Sequence, residues 1–177
     1  MLPIEVLPRQ LLAESALTEL SIEDLEWLKH VWLPGGRLMD QSATFNDAFQ
    51  ALDAATAMPN RAVALLTVWG ALEHLFSPAK QELRYRVSAN IAAFLEPPSA
   101  SRLQLHQRLM KLYDARSGVA HGTKLKSRDA WSDTYALANR ILLKMLASGH
   151  VPSKVDLEHE LFAPRIQQFI PVDGEEK

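Results

Sequence analysis

The chain has 177 residues, 47% apolar and 23% charged, which suits one globular domain with a substantial core. It has no cysteine, excluding disulfides, thiolate metal sites and cysteine nucleophiles, and its formal net charge of −2 offers no whole-molecule attraction for nucleic acid. No apolar run reaches the ~18 residues of a membrane span, and Met1 to Leu12 lacks a signal-peptide pattern, so a cytoplasmic protein away from membranes is expected.

Residues 1–20, with Pro3 and Pro8, read as an N-terminal arm with room for one short helix. Ser21 before Ile22-Glu23-Asp24 is an N-cap followed by first-turn carboxylates. Ile22, Leu25, Leu28 and Trp32 then keep helical spacing until Pro34-Gly35-Gly36, which is expected to end a first helix of about a dozen residues. A second helix starts after Ser42 or Thr44, with Phe45, Ala48, Phe49, Leu52, Ala55 and Thr56 on one face, and stops at Met58-Pro59-Asn60.

The third helix, from about Arg61 to Phe76, is apolar nearly all round and therefore belongs in the middle of a bundle. The fourth, about Ala79 to Leu95, turns Leu83, Val87, Ile91 and Phe94 or Leu95 inward and leaves Arg84, Arg86 and Asn90 on other faces. Glu96-Pro97-Pro98-Ser99 is a break, with Ser99 or Ser101 able to cap the next helix. That fifth helix carries Leu105, Leu109 and Leu112. The sixth runs from Ser127 to about Ser148, with Trp131, Tyr135, Ala138, Ile141, Leu142 and Met145 inward and Gly149 as its stop.

No stretch alternates with period two, so the expected fold is all-α: an antiparallel bundle of about five to six helices. Residues 21–150 form the helical domain. Residues 151–177 are expected to be a tail, partly disordered, with room for one short helix near Leu157 to Phe162.

Charge is unevenly distributed. From Arg102 to Arg128, seven basic residues stand against Asp114 alone, a local net of +6; from Met1 to Glu26, six acids stand against Arg9, a local net of −5. The basic segment is either a solvated helix face or an anion-facing surface. Within it, Leu112-Tyr113-Asp114-Ala115-Arg116-Ser117-Gly118-Val119-Ala120-His121-Gly122 offers chemistry.

Counting by threes and fours from Leu105 passes through Leu109 and Leu112 to Arg116, so Arg116 occupies a stripe position suited to leucine. Read structurally, it snorkels off the bundle or pairs with a buried acid, for which Glu73 is the candidate. Read functionally, it grips phosphate at a groove or subunit interface. His121 lies about 140° from Arg116 around an ideal helix. Gly118 and Gly122 suggest a loosened helix that would let the two turn towards one site, or each could face a mate across a two-fold axis.

Tyr113-x-x-Arg116-Ser117-x-x-x-His121-Gly122 resembles the signature of the HEPN superfamily, in particular its Apea-like branch. Upstream, Trp69-Gly70-Ala71-Leu72-Glu73-His74-Leu75-Phe76 and the segment from Glu82 to Leu95 are similar to that branch's preceding helices, in the same order. The resemblance spans about Leu65 to Leu146.

It implies an all-α, usually homodimeric domain whose active members are metal-independent endoribonucleases, with Arg-x4–6-His motifs meeting at a dimer cleft. Carried over, it assigns Arg116 and His121 as catalytic and Ser117, Glu73 and Tyr113 as supporting residues. Arg108, Lys111, Lys124, Lys126 and Arg128 would then contact RNA. No cofactor or metal is expected: the other histidines show neither HxxxH nor HExxH spacing.

Such members can be defence or toxin elements, with an antitoxin or sensor protein as a further partner. The alternative is a non-catalytic HEPN interaction module that binds a phosphate-bearing ligand, RNA or a protein.

Overall fold

The computed structural model describes residues 20–77, 82–123, 125 and 128–162. They form seven helices and, among the described residues, no strand: α1 (Ile22–Gln41), α2 (Ala43–Ala57), α3 (Arg61–Phe76), α4 (Leu83–Leu95), α5 (Ala100–Ala120), α6 (Arg128–Ser148) and α7 (Lys154–Phe162). The helical bundle is as expected, with a helix count slightly above five to six. The arm up to Glu19, the tail beyond Phe162, Lys124 and Lys126 lie outside the described residues.

α3 is the centre of the bundle and packs against α2, α4, α5 and α6. Ala64, Leu65, Val68, Trp69, Leu72 and Phe76 are all 2% exposed or less, consistent with a sequence apolar nearly all round. Asn60 caps its start, its side chain accepting from the Ala62 and Val63 amides. α2 brings Phe45, Ala48, Leu52 and Ala55 to that core, and α6 brings Trp131, Ala138, Ile141, Leu142 and Met145. Phe49, Thr56 and Tyr135, expected inward, are only partly covered or exposed.

α1 departs from expectation. It has the expected start: Ser21 accepts from the Asp24 amide while Asp24 accepts from the Ser21 amide, closing a capping box. It does not stop at Pro34-Gly35-Gly36 but continues to Gln41. An interior proline removes a helical hydrogen bond, at a cost of about 3 kcal/mol, so packing must hold the helix here. Gly35 and Leu38 are buried, and a Cβ added to Gly35 would sit 3.2 Å from Leu146 Cδ1 of α6. The glycine that reads as a breaker is a point where α6 packs closely against α1.

Asn90 is a second departure. Expected on an outer face, it is 2% exposed, and its amide donates to the Phe76 carbonyl at 2.8 Å, satisfying the end of α3. α7 packs against α4 through the buried Leu157. Arg102 ties these helices together, donating to the carbonyls of Ala93, Glu96 and Glu160.

Candidate functional site

Trp69 and Glu73 lie four residues apart on α3, and Tyr113 and Arg116 three apart on α5, so each pair shares a helix face. The two faces meet. Arg116 Nη2 lies 3.0 Å from Glu73 Oε1 and donates to Oε2 at 3.2 Å, with the two side chains 24% and 17% exposed. Both carboxylate oxygens approach the same nitrogen, so this is not the fork-to-fork arrangement open to arginine. Arg116 Nε is buried without a hydrogen-bond partner among the described residues.

The guanidinium also stands 5.4 Å from the Tyr113 ring centroid, within cation–π range. Tyr113 meets Trp69 edge to face at 5.3 Å, and the Trp69 indole donates to the Thr134 hydroxyl at 3.2 Å. Burial, reinforced by the neighbouring Glu73 carboxylate, pushes the Tyr113 hydroxyl up to about 12. Trp69, Glu73, Tyr113, Arg116 and Thr134 thus form one polar-aromatic seam joining α3, α5 and α6. The apolar stripe made the Glu73 partnership legible; Thr134 carried no signal in the sequence.

His121 is placed differently. α5 remains helical through Gly118 to Ala120, so the helix does not loosen between the arginine and the histidine. It ends at Gly122, whose φ is +83°, with the Gly122 amide donating to Val119 and the Thr123 amide to Gly118. That is a Schellman C-cap, which needs glycine at the left-handed position. His121 is the cap residue itself; its backbone amide donates to Ser117 and Gly118, and its side chain is exposed. Within one chain the structure brings Arg116, Glu73 and Tyr113 together. His121 stands beyond them at the helix end, and Ser117 is half-buried.

The basic segment is less free than its sequence charge suggests. Arg102 serves backbone carbonyls, Arg108 pairs with Asp133 at 2.7 Å, and Arg116 pairs with Glu73. Asp133 and Glu73 come from α6 and α3, so counting charges within residues 102–128 misses them. Arg108 and Lys111 are nevertheless exposed. Lys124, Lys126 and the Arg128 side chain lie outside the described residues. A helix C-terminus carries partial negative charge, so any phosphate attraction here must come from side chains.

Among the described residues, no group of three or more His, Asp or Glu is placed to hold a metal ion, and no helix is long and apolar enough to cross a membrane. Comparison of the chain with protein-family models, curated proteins and solved structures finds no match.

Proposed function

We propose that the chain is a HEPN-type, metal-independent endoribonuclease that works at a cleft between two copies of itself. The observation that supports this reading is the arrangement of α5. One helix carries an arginine oriented by Glu73 and, at its solvent-facing end, an exposed histidine. Attack of a ribose 2′-hydroxyl on the adjacent phosphate needs a base, an acid and stabilisation of the charge that develops on the phosphorane. An imidazole titrating near neutrality can serve as base or acid, and a guanidinium stabilises non-bridging oxygens. One chain supplies one such pair, and a two-fold mate supplies the second. A defence or toxin role, with an antitoxin or sensor partner, belongs to the same reading.

A specific observation favours a second reading. Arg116 is already engaged by Glu73 and Tyr113, as an arginine that only joins α3 to α5 would be. In that version the chain is a non-catalytic module. Incubating the purified protein with RNA in EDTA separates the two. The nuclease reading predicts 2′,3′-cyclic phosphate ends from the wild type and none from His121→Ala. Equal cleavage by both, or by neither, would contradict it.

A further inference from the structure

By periodicity Phe49, Thr56 and Tyr135 belong to the inward stripes of α2 and α6, yet the bundle leaves them only partly covered. All three line one groove, where α1, α2 and α6 leave about 190 Å³ unfilled. On α2 the lining runs from Phe45 to Thr56 and on α6 from Tyr135 to Leu146, in both cases at helical spacing; α1 adds Gly35 and Met39. The groove is polarised along its length. The Arg61 guanidinium, at the start of α3, stands 5.5 Å from the Trp131 ring centroid, so the end of α2 lies beside the start of α6 and the two run antiparallel. That direction sets Asp53 and Thr56 against Tyr135 and Asn139 at one end. Phe45, Phe49, Leu143 and Leu146 occupy the other, where Gly35 meets Leu146. Among the described residues, Asp53 is the one charged side chain in the lining, and neither the Tyr135 hydroxyl nor the Asn139 amide group has a hydrogen-bond partner.

We propose that this groove binds a small ligand with a single aromatic ring and one hydrogen-bond-donating head group, of which phenol is the simplest form. The volume sets the size. An apolar cavity of about 150 Å³ holds one benzene ring, so about 190 Å³ takes a ring and a few substituent atoms. The apolar end selects the ring: Phe45 and Phe49 offer aromatic contacts and Met39 a polarisable sulfur. The polar end selects the head. The Asp53 carboxylate accepts only, while Tyr135 and Asn139 can accept or donate, so a donor on the ligand finds an acceptor at each of them. No cation among the described lining residues offsets Asp53, which disfavours an anionic head.

The groove is separate from the proposed nuclease cleft. None of its lining residues belongs to the seam of Trp69, Glu73, Tyr113, Arg116 and Thr134, and His121 is not among them. Failure of either proposal therefore leaves the other standing.

Titrating the full-length protein with phenol, toluene and benzoate, read by calorimetry and amide NMR shifts, tests the assignment. Phenol should bind saturably to the wild type, with shifts centred on α2 and α6, and benzoate should bind at least about tenfold more weakly. Tyr135→Phe combined with Asn139→Ala should weaken phenol at least about fivefold through the lost hydrogen bonds, while toluene binding is not weakened. Phe49→Ala should weaken both phenol and toluene. Circular dichroism checks that each variant is folded, and the comparison of phenol with benzoate needs no variant. Absence of saturable phenol binding, benzoate binding as tight as phenol, or indifference to the substitutions would overturn the proposal. So would self-association that Phe49→Ala abolishes and phenol does not displace, which would give the groove to a second copy of the chain.

Discussion

Arg116 of α5 reaches across the bundle to Glu73 of α3, with its Nη2 3.0 Å from the Glu73 carboxylate and its guanidinium over Tyr113. A leucine at position 116 would continue the stripe begun by Leu105, Leu109 and Leu112 but would leave Glu73 without its cation. Glu73→Ala should therefore cost about 2 kcal/mol, since it strands a half-buried guanidinium. Glu73→Leu combined with Arg116→Met should recover most of that loss. Urea unfolding of the single and double variants measures both.

Two adjacent glycines in α1 should respond in opposite directions. Gly36 has nothing within 4 Å of an added Cβ, so Gly36→Ala should stabilise by about 0.5–1 kcal/mol through helix propensity. At Gly35 the added Cβ already meets Leu146 Cδ1 at 3.2 Å, and the branched side chain of Gly35→Val must displace the Leu146 side chain, costing about 1–3 kcal/mol. Thermal unfolding distinguishes the two.

These glycines show where the sequence was readable and where it was not. α2 and α6 announce themselves by apolar periodicity and α3 by its nearly all-apolar composition, and most of the residues expected inward are buried, with Phe49, Thr56 and Tyr135 the exceptions at the edge of the stripe. Arg116 was legible for the same reason, being a cation on an apolar stripe. Pro34-Gly35-Gly36 misled because local propensity argues for a stop, whereas the contact with Leu146, more than a hundred residues away, holds the helix together. Asn90 misled likewise: an interior amide is expected outside until the bare carbonyl of Phe76 is seen beneath it. The local +6 was overstated because Asp133 and Glu73 arrive from other helices.

Asn90→Ala removes the partner of the Phe76 carbonyl in a site 2% exposed. It should destabilise the protein by about 1–3 kcal/mol. Hydrogen exchange should show the effect most strongly at the junction of α3 and α4.

Tyr113 gives a spectroscopic signature of the seam. Its hydroxyl, pushed up to about 12 by burial and by the Glu73 carboxylate, binds a proton in the folded state that the unfolded chain has already released. The stability linked to this group is full below its ordinary value near 10 and is lost as pH rises from there through about 12. Phenolate absorbance should show one of the three tyrosines ionising near 12, and Tyr113→Phe should remove that step while flattening alkaline unfolding over the same range.

At the far end of α5 an exposed His121 stands beyond an anchored Arg116, and on that pair the nuclease reading rests. Single-turnover cleavage of RNA in EDTA tests it most directly, comparing wild type, His121→Ala and Arg116→Ala at equal folded concentration. The expected result is cyclic-phosphate products from the wild type and a loss of at least about 100-fold in rate for His121→Ala, with Arg116→Ala also impaired. Cleavage that is absent from the wild type, or unchanged when His121 is removed, would contradict it.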